Sequence, residues 1–207
     1  GRAFGIYAET LPKVESFAGG FDANLISGWT RDDKAAAVFT LSAKERSLET
    51  CSIITFSEKG MVKKSLAEEL PPASSQSFTM CKINSGDRLI TVKVCRDDAK
   101  EILIATQNGM AIRFDQSDLR PMGLIAAGVN GIKLKDDDLV AGAALVNPTD
   151  FCCFVTSDWG IGKIPVEEFP KQGRYGQGVK AVRLNPPEKV VGITVLPDSK
   201  SVLLVRY

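Results

Sequence analysis

The chain repeats itself. Three stretches align when written one beneath another: Ser52-Ile-Ile-Thr-Phe-Ser-Glu-Lys-Gly60-Met-Val-Lys-Lys, Glu101-Ile-Leu-Ile-Ala-Thr-Gln-Asn-Gly109-Met-Ala-Ile-Arg and Phe151-Cys-Cys-Phe-Val-Thr-Ser-Asp-Trp-Gly160-Ile-Gly-Lys. Each is an apolar, β-branched run, a polar turn ending in Gly, and a second run with a base three or four residues past that Gly. Ten residues after the Gly, nine in the last repeat, an acidic or hydroxyl pair precedes an apolar residue: Glu68-Glu69-Leu70, Ser117-Asp118-Leu119 and Glu167-Glu168-Phe169. Third strands are predicted over Thr79-Met-Cys-Lys-Ile83, Gly128–Leu134 and Gly178–Leu184, and fourth strands over Leu89–Val94, Leu139–Leu145 and Val190–Leu196. Gly1 fits the same turn position, with Leu11 ten residues on.

A repeat of about 50 residues with four strands is the size of a propeller blade. One such unit cannot cover both faces of its own sheet, so its copies must pack side by side. The apolar runs are short and punctuated by Gly, Pro and Asn, which excludes long helices. Asn108-Gly109 reads as a tight primed hairpin turn, where Gly supplies positive φ without steric cost. The expected fold is all-β and propeller-like, one domain over 1–207 with blade units at about 1–46, 47–98, 99–149 and 150–200. Residues 201–207, Ser-Val-Leu-Leu-Val-Arg-Tyr, either close the ring or begin a further blade.

Composition narrows the chemistry. There is no histidine, which removes Ser-His and Cys-His nucleophilic sites, histidine bases and most zinc sites. The five cysteines lie in apolar runs with no CxxC spacing, as buried free thiols of a reducing cytoplasm would. No apolar stretch approaches membrane-spanning length and no signal peptide opens the sequence, so the expectation is a cytoplasmic protein with no membrane partner. Asp136-Asp137-Asp138 reads as a solvated turn, because no full ligand set surrounds it. Ala127-Gly-Val-Asn-Gly131 lacks the Gly-Lys-Ser/Thr ending of a phosphate loop. Trp29 and Trp159 read as packing or turn residues. No cofactor is expected.

The repeat pattern, with its Gly-Val-x-x-Ile-Lys-Leu third strand, resembles the C-terminal domain of type IIA topoisomerase A subunits, those of gyrase and topoisomerase IV. Gly109–Gly123 with Gly128–Leu134, Gly1–Pro12 and Gly160–Pro170 carry the resemblance, which covers nearly the whole chain. It implies a β-pinwheel, a ring of blades that exchange strands, whose basic rim bends or wraps duplex DNA for strand passage. The implied partners are double-stranded DNA, the A-subunit core and the ATPase B subunit. The implied location is the bacterial cytoplasm, at the nucleoid. In this family the cleaving tyrosine belongs to an upstream domain, and Tyr7, Tyr175 and Tyr207 lie scattered here, so the isolated domain is expected to cleave nothing and hydrolyse no ATP. Gyrase carries a Gln-Arg-Arg-Gly-Gly-Lys-Gly box for wrapping. Lys171-Gln-Gly-Arg-Tyr-Gly-Gln-Gly178 is at best its echo, so the expectation is bending unless a box lies upstream.

Wrapping needs bases spaced along a curved surface, since each neutralised phosphate releases condensed counterions. The repeat supplies them. Second-strand candidates are Arg2, Lys63, Lys64, Arg113 and Lys163; third-strand candidates are Lys82, Lys133 and Arg183; Arg174 and Lys180 lie beside them. Lys plus Arg is 26 against 25 Asp plus Glu, a net charge of only +1, so such bases must be gathered on one surface. That near-neutrality also supports the alternative, a propeller-type platform for protein partners.

Overall fold

A computed structural model describes residues 1–15, 22–25, 27, 29–30, 32–96 and 101–197. The expected tail strand at 201–207 lies outside them. The strands are β1 (Arg2–Gly5), β2 (Ser52–Ser57), β3 (Met61–Leu66), β4 (Ser74–Thr79), β5 (Leu89–Cys95), β6 (Glu101–Thr106), β7 (Met110–Asp115), β8 (Val129–Asn130), β9 (Val140–Val146), β10 (Phe151–Thr156), β11 (Ile161–Pro165), β12 (Val179–Lys180) and β13 (Val190–Leu196). The longest helix among the described residues is one turn, α1 (Ala43–Arg46), closed by a capping box between Ser42 and Glu45.

The strands form separate antiparallel sheets in the orders β1-β4, β5-β2-β3-β8, β9-β6-β7-β12 and β13-β10-β11. The outermost strand of each complete sheet is borrowed. β8 follows β7 in sequence yet pairs with β3, Val62 opposite Val129, and β12 follows β11 yet pairs with β7, Ala111 opposite Val179. This is the strand exchange of a β-pinwheel. A second contact accompanies each exchange: the Met122 N–H donates to Lys64 O at 2.8 Å, and the Gln172 N–H to Arg113 O at 2.8 Å.

The hydrophobic pattern explains why sheets rather than isolated hairpins form. All six residues of β6 are buried. Alternation sends Ile102 and Ile104 to one face, where they meet Ile54, Phe56 and Val62, and Leu103 and Ala105 to the other, where they meet Cys152, Phe154 and Phe169. A sheet apolar on both faces must be covered on both, and neighbouring blades do so. Two of the apolar residues that follow the turns plug the seam: Leu119 and Phe169 are each 2% exposed, whereas Leu70 is half-buried and Leu11 is exposed. The pair before it forms a short 3-10 turn, at Ala67–Glu69, Gln116–Asp118 and Val166–Glu168.

Three details differ from the sequence expectation. The hairpin at Asn108-Gly109 has a three-residue loop rather than a primed two-residue turn. The Gly109 N–H donates to Thr106 O at 3.0 Å, and only Gly109, at φ 80°, is left-handed. In the last hairpin the left-handed residue is Trp159, at φ 70°, and not Gly160. This accounts for the spacing of nine, because Phe169 stands ten residues after Trp159. The strand expected at Thr79–Ile83 runs earlier, as β4, with Arg2 opposite Thr79 and Gly5 opposite Ser74.

The other predicted third strands shorten to two residues, β8 and β12. After Asn130 and Lys180 the chain turns across the end of the neighbouring hairpin, donating from Gly131 to Gly60 O and from Ala181 and Val182 to Gly109 O. Gly128 and Gly178 permit this approach: at φ 93° and 73°, a Cβ would stand 2.5 Å from Val62 O and 2.3 Å from Ala111 O.

Candidate nucleic-acid interface

Pairing within the hairpins fixes which bases are equivalent. Lys64 stands opposite Ile54, Arg113 opposite Leu103 and Lys163 opposite Cys153, each four residues past the left-handed turn residue. Lys63 is one residue out of that register, and one residue on a strand means the opposite face. It is 1% exposed, and its ammonium donates to Met80 O and Leu124 O, both at 2.7 Å. The expectation of Lys63 as a surface base is therefore corrected: it lies inside. Adjacent lysines on a strand cannot share a face, and that alternation was the signal for separating them.

The three equivalent second-strand bases have different surroundings. Lys64 is half-buried. Lys163 is exposed on its flank and lies 5.0 Å from the centre of the Phe151 ring, a cation–π contact. Arg113 faces inward, its side chain 11% exposed, with Nη1 donating to Val166 O at 2.8 Å and Nε 3.4 Å from Glu101 Oε2. Glu101 is buried and also accepts Lys171 Nζ at 2.7 Å, while Lys171 reaches Asp115 at 3.4 Å. Two cations and two carboxylates thus cancel at this blade. The Glu101 carboxylate holds Lys171 above the ordinary lysine range. Sequence reading did not pick out Glu101, because its partners are Arg113 on the facing strand of its hairpin and Lys171, 70 residues away across a strand exchange.

The third-strand bases behave uniformly. Lys82, Lys133 and Arg183 are all exposed, and none has a carboxylate within ion-pairing distance among the described residues. Each lies one or two residues past a segment held by a glycine carbonyl of the neighbouring unit: Gly1 O accepts from Met80 and Cys81, Gly60 O from Gly131 alone, and Gly109 O from Ala181 and Val182. The Lys82 N–H then donates to Ala126 O and the Lys133 N–H to Gly176 O, at 3.2 and 2.9 Å. One backbone anchor therefore presents one base outward in three successive units.

Of the remaining candidates, Lys180 is exposed, with Nζ 3.2 Å from Asn108 O. Arg174 is half-buried and donates to Asn130 O at 2.8 Å, so it braces the exchange loop. Arg2 is exposed and bonds Ser77 Oγ. The stretch 171–178 is the seam between blades, equivalent to 121–128.

Most of the remaining acidic residues sit on other elements. Glu68, Glu69, Asp118, Glu167 and Glu168 are exposed on or beside the 3-10 turns. Asp138, expected in a solvated turn, is 6% exposed, and its carboxylate accepts the Asn108 and Leu139 N–H groups at 2.9 Å. Asp87 does the same for Lys59 and Arg88. These carboxylates brace hairpins. Among the described residues no group of three or more Cys, Asp and Glu is arranged to hold a metal ion, and no helix is long and apolar enough to cross a membrane. Trp29 packs edge-on against Phe4, ring centres 4.9 Å apart, and Trp159 is a turn residue.

The family described as DNA gyrase C-terminal domain, beta-propeller, matches residues 52–96, 100–147 and 163–197. The gyrase A protein of Kosmotoga olearia is 32% identical over 84% of the chain and 22% of its own length. That of Helicobacter pylori is 31% identical over 99% of the chain and 25% of its own length. The chain thus spans about a quarter of these relatives. A crystal structure of the C-terminal domain of DNA topoisomerase IV superimposes with TM-score 0.79 at 26% identity, over 87% of this chain and 56% of that one.

Proposed function

From the premise that the chain belongs to the DNA gyrase C-terminal β-propeller family, we propose that it binds and bends duplex DNA. The contacts are to phosphate, and the domain acts as the DNA-handling module of a type IIA topoisomerase in the bacterial cytoplasm. The observation that supports this best is the repeated exposed base on one backbone anchor, Lys82, Lys133 and Arg183, extended by Lys180. Charge presented at a regular interval on successive blades suits a continuous phosphate backbone. Among the described residues the ring that meets a candidate base, Phe151 beside Lys163, is engaged in that cation–π contact, so preference for one DNA over another comes from its bendability.

The 207 residues act as one domain that holds no cofactor, cleaves no strand and hydrolyses no ATP. Strand passage belongs to the A-subunit core and the ATPase B subunit with which it works.

The test is duplex binding across a salt series, with long and short fragments. Log affinity should fall against log salt with a slope near −0.9 per phosphate contacted. Longer DNA should bind better, and K82Q/K133Q/R183Q should reduce the slope by about 2.7. A chain that binds no DNA at low salt, or binds without regard to length, overturns the proposal. A platform for protein partners then takes its place, as the near-zero net charge would suit.

A further inference from the structure

We propose that Lys63 is a positioning residue for the DNA-facing Lys82, acting from inside the blade as a brace; this rests on the DNA reading above. Lys63 sits on β3, but its ammonium joins two segments outside that strand, one following β4 and one in the stretch between β7 and β8. One acceptor is Met80 O, two residues before Lys82. The other is Leu124 O, two residues before Ala126, whose carbonyl accepts the Lys82 N–H at 3.2 Å. The two carbonyls converge on one Nζ at 2.7 Å each, so the two segments are clamped immediately ahead of the point where they bond to each other.

The next blade shows why a brace is needed here. There the carbonyl equivalent to Met80 O, that of Gly131, accepts the Tyr175 N–H at 3.0 Å, because Tyr175 adopts φ 69° and turns its N–H inward. The residue at that place in the Lys63 blade is Ile125, which is β-branched and stays at negative φ. Its N–H does not reach Met80 O, and the side chain equivalent to Lys63 in the next blade is Ile112, an apolar plug. In one blade a backbone N–H satisfies the carbonyl. In the other a buried ammonium does, and it satisfies Leu124 O as well. Burial pulls the Lys63 pKa below the ordinary lysine value, opposed by Cys81 and Glu69. An ammonium enclosed in this way cannot touch a phosphate, but it fixes the height at which Lys82 leaves the surface.

The experiment measures salt-dependent duplex binding by the wild-type chain, K63M, K82Q and K63M/K82Q. It adds lysine acylation of the wild type with and without DNA, read by mass spectrometry. The expected result is that K82Q and K63M each reduce the slope by about 0.9, one phosphate contact, and that the double variant loses no more than either single one. Lys63 should resist acylation in both states, while Lys82 should react freely and be protected by DNA. If the K63M and K82Q losses add, or Lys63 acylates in the free chain and is protected by DNA, then Lys63 meets the phosphate itself and the proposal fails. If K63M lowers the unfolding midpoint but leaves the slope intact, it is a structural brace that does not govern Lys82, and the proposal again fails. A wild-type chain with no DNA affinity overturns the DNA reading instead, which the wild-type control shows separately. The acylation readout needs no variant and stands if K63M does not fold.

Discussion

Arg113 is where the repeat and the surroundings of its residues part most sharply, so replacing it gives a demanding test. By position it is the counterpart of Lys64 and Lys163. By contact it is an internal group. R113M keeps most of the stem and removes the guanidinium. Val166 O then loses its donor at 2.8 Å, and the buried Glu101 carboxylate keeps only Lys171, whose side chain is 47% exposed. Stranding a buried carboxylate completely costs about 3–5 kcal/mol. Lys171 remains, so the ionic part is a fraction of that, and losing the guanidinium bond to Val166 O, which keeps the Phe169 N–H at 3.1 Å, adds about 1 kcal/mol. The sum is about 2–3 kcal/mol, which at a urea m-value of about 2–3 kcal/mol/M moves the unfolding midpoint down by about 1 M. E101Q/R113M should recover part of the loss, since an amide tolerates the missing cation better than a carboxylate. The slope of DNA affinity against salt should not change in R113M. The reasoning is refuted if R113M unfolds at the wild-type urea midpoint while its salt slope falls by about 0.9, because Arg113 would then be leaving Glu101 to meet a phosphate.

Three further outcomes follow from the same contacts. G178A should destabilise the β12–β7 exchange, because its Cβ would meet backbone at 2.3 Å and its φ is 73°; a loss of about 2 kcal/mol or more, with faster amide exchange along β7, is expected, and unchanged exchange there would contradict it. The Ser117 backbone N–H, then the Ser117 and Lys171 side chains, hold Asp115 below its ordinary value of 3.8. Its contribution to stability is therefore complete above about pH 4 and lost as pH falls through the depressed value. D115N should flatten that part of an acid-unfolding profile, and an unaltered profile would rule the contact out. All five cysteines are buried, and burial pushes Cys152 up to about 12. Iodoacetamide at pH 8 should label none of them in the native chain and all five after denaturation, as mass spectrometry would count.

Much of the architecture was legible because it depends on local pattern. The runs at 52–57, 101–106 and 151–156 became β2, β6 and β10 at the residues their apolar alternation marks. Of the apolar positions marked after the turns, Leu119 and Phe169 became buried plugs, while Leu70 is half-buried and Leu11 is exposed. What was illegible depends on partners far away in sequence. Nothing near Val129 announces that it will pair with Val62, so the exchange was available only through the family resemblance. The turn in the last hairpin was misplaced by one residue because Gly160 invites the left-handed assignment, whereas Trp159 takes it. The spacing of nine instead of ten was the clue that the register had slipped. For the bases, counting from the turn gave the right strand and the wrong face for Lys63, since a count of three and a count of four differ by one side of a sheet. Whether a base on the right face is free, as Lys133 is, or cancelled, as Arg113 is, depends on Glu101 and Lys171 meeting across a blade boundary.

The contrast between the two sets of bases locates the constraint within the repeat. At the second-strand position the chain uses a half-buried lysine, a neutralised arginine and a lysine over an aromatic ring, three environments for one place in the fold. A site that must present charge would not tolerate a blade at which the charge is cancelled. A site that must hold blades together would tolerate many solutions, and the Glu101–Arg113–Lys171 contacts join two blades. At the third-strand position the same turn carbonyl holds the chain and an exposed base follows it each time. Because that base stands on the exchanged segment, its position depends on the seam beneath it. A weakened seam should therefore move the base before it unfolds the blade, so variants such as K63M and G178A should differ from wild type in salt slope at urea concentrations where both remain folded.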